Sequence, residues 1–254
     1  MAVLTPRAIT ESAASGGDRI EGSFSFKGPD RDYELNRTPS IDTRSTKCTT
    51  SFWWYPTSTI GGTANPSNKG TIIGGMGKDG GDWFLLQFYD RQLYWGNEDD
   101  WVMTQGQIID QSWMHIVLIA DTTLADAGSR MQIWVNGVQQ ILQTSSLYDQ
   151  PSQNDLFDIF NDDYKYFIGK RDANTSNADG NISQFYFIDG LAKAATDFGY
   201  EDPLTGIWKP KKYTGDYNYT KYDTTNATGG NTILNTNDSG STIESGYRLS
   251  LIHI

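Results

Sequence analysis

The chain has 254 residues, 13% of them aromatic, with eight Trp, 26 Gly and a formal net charge of −11 at pH 7. That length accommodates one large β-domain or two ordinary domains, and the Trp and Gly content suits strands joined by tight turns. No Lys/Arg cluster offsets the negative charge, which argues against a nucleic-acid groove; no stretch approaches the ~18 apolar residues of a membrane span, and the lone Cys48 excludes an intrachain disulfide and a Cys-based zinc site.

Residues 1–19 are small and polar and read as a flexible arm. They lack a basic region followed by an apolar run, so no secretory signal is expected and synthesis in a cytoplasm is. Strands begin near residue 20. "EGSFSFKG" alternates Phe24 and Phe26 with polar residues, and "CTTSFWWYP" (48–56) is apolar on both faces and stops at a Pro. Residues 70–96 give three strand-like pieces divided by Gly-Gly and Asp-Gly. "SWMHIVLIAD" (112–121) is apolar on both faces, as a central strand between two layers would be. In "RMQIWVNGVQQIL" (130–142), Met131, Ile133 and Val135 alternate with Gln132, Trp134 and Asn136, and Asn136-Gly137 supplies a type I′ turn, predicting a hairpin. Further strands are predicted at 164–170 and 180–190, and one short helix at 191–199.

Strands separated by Gly/Asn/Asp turns, with no helices between them, predict an all-β, two-sheet antiparallel β-sandwich or jelly roll. Residues 219–254 are rich in Thr, Asn and Gly and read as a polar linker or truncated segment. The closing "RLSLIHI" is abruptly apolar and reads as an artificial end.

The series "WMHIVLIADTT", "SRMQIWVNGVQ", "YFIGKRD" and "GNISQFYFIDGLA" resembles the strands of the laminin-G/concanavalin A-like superfamily. The opening "RIEGSFSFKGPDRDYELNRTPS" and the segment "FIDGLAKAATDFGYEDPLTGIWKPKKYTGDYN" (187–218) are similar to a group of marine bacteriophage virion proteins carrying this domain. The resemblance covers roughly residues 20–218. It implies a concanavalin A-like jelly roll in a tail-fibre or other surface component of a phage particle. It further implies recognition of host-surface glycans or assembly with other virion proteins, with release by lysis rather than secretion.

Candidate chemistry sits in the loops. Sugar recognition calls for aromatic faces beside Asp, Asn or Gln. Trp95 and Trp101 flank an acidic turn with Asn97 and Asp99, and either bind sugar or pack as lids on the core. Trp134, opposite the inward residues of its strand, either stacks on a neighbouring strand, meets a second copy of the chain or supports a ligand. Ca²⁺ takes six to eight oxygen ligands; Asp172, Asp179 and Asn181 in "KRDANTSNADGN" are the expected set, in a region where laminin-G-like domains carry metal loops. Asp82, Asp99 and Asp100 form a weaker second set. His115 lies inside an apolar strand and is expected to be a satisfied core residue, so no His-based nucleophile is built. The enzymatic alternative is a glycan-cleaving hydrolase or lyase of the same fold. Only Glu98 and Asp100 offer a pair of acids for it, and Gly96-Asn97 makes that stretch a turn.

Overall fold

The computed structural model of the protein describes residues 22–26, 35–38, 42, 44–57, 70–77, 83–89, 91–97, 99–107, 112–143, 149–157, 162–170 and 178–215. The arm expected at 1–19, the polar segment expected at 219–254, and Asp82, Glu98 and Asp172 lie outside them. In chain order the strands are β1 (Phe24–Phe26), β2 (Leu35–Arg37), β3 (Lys47–Pro56), β4 (Gly70–Gly77), β5 (Trp83–Tyr89), β6 (Gln92–Asn97) and β7 (Trp101–Met103). Then follow β8 (Met114–Asp121), β9 (Met131–Val135), β10 (Val138–Gln139), β11 (Tyr164–Ile168), β12 (Gly180–Asp189), β13 (Gly199–Glu201) and β14 (Trp208–Pro210).

Two six-stranded sheets form, in the orders β1-β12-β3-β8-β9-β10 and β2-β11-β4-β5-β6-β7, with β13-β14 as a separate hairpin. All described pairings are antiparallel. This is the two-sheet sandwich that the strand pattern predicts. Its core is set by period-2 alternation. From the first sheet, Phe52, Trp54, Ile116, Leu118, Met131 and Ile133 point inward; from the second, Phe84, Leu86, Phe88, Leu93, Trp95 and Tyr166 meet them.

Alternation alone would misplace half of β12. Its pairing with β3 shifts register between Ser183 and Tyr186, at Gln184, whose φ is +45°. Such a bulge moves the rest of the strand by one position. Ile182 faces the core before it, and Phe185 and Phe187 face the core after it. The shift turns Tyr186 and Ile188 outward, where Val117 and Ile119 of β8 join them.

That outer apolar strip is covered by the chain's own residues 191–215. Ala195, Phe198 and Tyr213 pack on it, with Trp134 and Leu191 at its margin. Phe198 stacks on Tyr213 at 4.9 Å between ring centroids. β8 is therefore apolar on both faces because each face has its own cover. The helix expected at 191–199 is only a 3-10 turn, Ala195–Asp197. Phe198 must enter the outer cluster and Gly199 opens β13 at once, leaving no residues for a second turn.

The predicted hairpin at 130–142 is present as β9 and β10, with Asn136 and Gly137 at φ of 49° and 76°. Beyond it the chain crosses to the second sheet, where Leu142 bridges Thr104 and Gln143 N–H donates to the Met103 carbonyl at 2.8 Å. One edge of each sheet is thus tied to the other by a single segment.

Candidate ligand-binding surface

The turn singled out in the sequence joins β6 to β7. Asn97 organises it: its side-chain oxygen accepts from the Asp99 and Asp100 N–H groups at 3.1 and 2.6 Å, and its own N–H donates to the Asp100 carbonyl at 2.9 Å. Gly96 is required beneath this turn. Its φ is +154°, and a Cβ there would stand 2.2 Å from the Asp100 carbonyl oxygen. Asp99 is exposed at the tip, whereas Asn97 is buried and committed to the turn.

The two Trp residues that flank the turn separate. Trp95 is 1% exposed and packs on Phe157 inside the core, so its indole has no face to offer a sugar; of the two roles expected for it, packing is the one it fills. Trp101, on the outer face, stays half-buried. Its ring lies 4.5 Å from Tyr94, and Tyr94 lies 5.9 Å from Trp83, so three rings form an arc across β5, β6 and β7. Cross-strand register builds the ground beside it. Phe167, Gly74, Leu85, Gly96 and Trp101 make one row across five strands, with Gly at two positions lowering the surface between the aromatic ends. Gln87, in register with Tyr94, adds a buried amide, held by the Thr71 hydroxyl at 3.5 Å. Tyr94 and Trp83 were missed in the sequence; counting alternate positions back from Trp101's partner Gly96 would have found Tyr94.

Trp134 lies on the other sheet, well away from this arc in the strand order. It is half-buried against the outer cluster, and its indole N–H donates to the Gln132 side chain at 3.0 Å.

Of the expected calcium ligands, Asp172 lies outside the described residues. Asp179 accepts a hydrogen bond from the Thr57 hydroxyl, and Asn181 lies within β12 opposite Tyr55. Among the described residues, no group of three or more His, Cys, Asp and Glu side chains is assembled.

His115 is fully satisfied, as expected for a core residue, but it sits on the outer face of the first sheet. Its ring is sandwiched between Trp53 at 5.1 Å and Trp208 at 6.0 Å. The Trp208 indole N–H donates to Nδ1 at 2.9 Å, so Nε2 carries the proton and donates to the Ser51 hydroxyl at 2.8 Å. Burial pushes its pKa down to about 3. Trp208 fits only because glycines face it: a Cβ at Gly137 or Gly199 would stand 2.3 or 2.4 Å from its ring. An Asp202–Lys209 ion pair ties the hairpin that carries Trp208.

No known family profile and no curated protein matches the sequence. Among solved structures, the chain is similar to the LG1-3 region of the laminin alpha2 chain, at 13% identity and a TM-score of 0.46, over 66% of this chain and 31% of that one. Domains LG4-5 of the mouse laminin alpha1 chain match at 10% identity and a TM-score of 0.46, over 70% of this chain and 45% of that one. A pentraxin from Limulus polyphemus matches at 14% identity and a TM-score of 0.42, over 67% and 76% of the two chains. The chain thus spans less than half the length of either laminin structure.

Proposed function

We propose that this domain is a non-catalytic glycan-recognition module, binding sugar on the Trp83–Tyr94–Trp101 arc beside the Asn97–Asp100 turn. The observation that carries it is the arc itself: rings 5.9 and 4.5 Å apart on an outer face, two of them half-buried, with the Asp99 carboxylate exposed at the adjoining tip. Apolar sugar faces stack on such rings while a carboxylate accepts from hydroxyls. Retaining hydrolysis needs two carboxyl groups about 5–5.5 Å apart across the scissile bond. The described acids here, Asp99 and Asp100, are neighbours in one tight turn, which supports binding rather than cleavage. The resemblance to bacteriophage virion proteins supports a place on a particle surface, with host-surface glycans as the target.

A glycan array with the full chain tests this. Binding is expected, and Trp101→Ala is expected to weaken it at least tenfold. Full binding by that variant removes the arc from the reading. Polysaccharide turnover that falls on Asp100→Asn would establish the hydrolase or lyase instead.

A further inference from the structure

The first sheet's outer face is covered by residues 191–215 over most of its length but not at the end where β1 and β12 begin to pair. Register places Ser25, Asn181, Tyr55 and Trp113 in one row there: Ser25 pairs with Asn181, Asn181 with Tyr55, and Trp113 follows opposite Tyr55, one step before the Trp54–Met114 pair. Ser25 is exposed, Asn181 and Tyr55 are half-buried, and Trp113 is 39% exposed. The Tyr55 and Trp113 rings lie 5.6 Å apart at 53°. The next row inward, Trp53 and His115, is buried, with Trp208 against His115. The open row is therefore the aromatic remainder of a face that the chain otherwise covers itself.

What distinguishes this row from an ordinary exposed patch is its hydrogen-bonding state. The Ser25 hydroxyl, the Asn181 amide, the Tyr55 hydroxyl and the Trp113 indole N–H make no side-chain hydrogen bond to any described residue. Each can donate, and all but the indole can also accept. The Asp179 carboxylate, two residues before Asn181, accepts from the Thr57 hydroxyl. Two ring faces with neutral donors and acceptors beside them match the alternating C–H faces and hydroxyls of a sugar, and they present no charge to select an anion. Three inter-strand spacings of about 4.8 Å make the row ~14 Å long, which suits an oligosaccharide rather than a single ring.

We propose that Ser25, Asn181, Tyr55 and Trp113 form a second glycan site, selective for uncharged oligosaccharides, on the face opposite the Trp101 arc. It deepens the glycan-recognition reading but stands on residues of its own. Two sites on opposite faces let one domain bridge two chains of a glycan-coated surface, and the second contact is then made at a high effective concentration.

Indole N–H resonances of the ¹⁵N-labelled full chain, titrated with cellotriose, xylotriose, arabinotriose, maltotriose and chitotriose, test the proposal. A saturable shift at Trp113 is expected with at least one of them. It should persist in Trp101→Ala, and Trp113→Ala and Asn181→Ala should each weaken binding at this face at least tenfold. Because Trp113 is exposed and Asn181 half-buried, both variants should keep the parent spectrum elsewhere. Shifts confined to Trp101 and Trp83, and lost in Trp101→Ala, overturn the second site and leave the first. A shift at Trp113 alone keeps this site and overturns the arc. No indole shift with any of the five overturns both.

Discussion

The two outer faces of the sandwich carry different aromatic sets. On the first sheet, Val117, Ile119, Tyr186 and Ile188 form an apolar strip that the chain buries under its own Phe198 and Tyr213. On the second, Trp83 and Trp101 remain half-buried around Tyr94. Aromatic content on an outer strand face therefore does not by itself identify a ligand surface. Trp134 and Trp101 are both outward-facing Trp residues on edge-proximal strands, yet Trp134 packs against the cluster that residues 191–215 cover, whereas Trp101 meets Tyr94 on the other sheet. The cover on the first sheet has a keystone in Trp208, and the following perturbations should separate the two faces.

The largest effect should come from acid. An unfolded His takes up a proton near pH 6.5, whereas His115 in the fold does so only at about 3. Between those values the unfolded chain binds more protons, so stability rises with pH there. Stabilisation that is complete above ~6.5 should be lost on acidification at up to about 1.4 kcal/mol per pH unit. The cause is local: a proton on Nδ1 would face the Trp208 N–H that now donates to it. Urea unfolding between pH 7 and 4 measures the slope, and a His115→Gln variant should lose most of it. An unchanged slope would mean that the cover is not held through this ring.

Next, Trp208→Ala should destabilise the protein by about 3 kcal/mol through lost stacking and a cavity over His115. Gly199→Ala should cost about 2 kcal/mol by forcing the same indole out of its slot. Both should broaden the Trp134 indole resonance, since Trp134 borders the cover, while leaving Trp101 unmoved. A shift at Trp101 of equal size would show that the faces are coupled rather than independent.

The contrast between the faces was only partly legible in the sequence. The strands at 48–56, 70–96 and 112–121, and the hairpin at Asn136-Gly137, follow from local alternation and turn chemistry, which need no distant information. In "QLYWG" the apolar residues are consecutive, so the inward phase of β6 was ambiguous until Leu86 and Val102 of the neighbouring strands claimed Trp95. The Gln184 bulge likewise hides which Phe and Tyr of β12 face in. Trp208 gives no local signal, for its partners His115 and Gly137 are distant in the chain and meet only after both sheets form. The open Ser25–Asn181–Tyr55–Trp113 row was hidden for the same reason, because it joins four separate segments.

The smallest effect on stability should come from Trp101→Ala, and that is what makes it informative. Its ring is half-buried and meets Tyr94 on an outer face, so truncation should cost less than about 1.5 kcal/mol, well under the Trp208 value. Its effect on glycan binding should run the other way, at least a tenfold loss, or about 1.4 kcal/mol. Trp208→Ala, assayed at pH 7 where enough of the chain stays folded, should leave binding at the arc intact. Two partly buried Trp residues would then divide cleanly, one stabilising the fold and the other holding ligand. If instead Trp101→Ala proved as destabilising as Trp208→Ala and left binding unchanged, the arc would be a second intrachain seam, and the comparison between the faces would collapse.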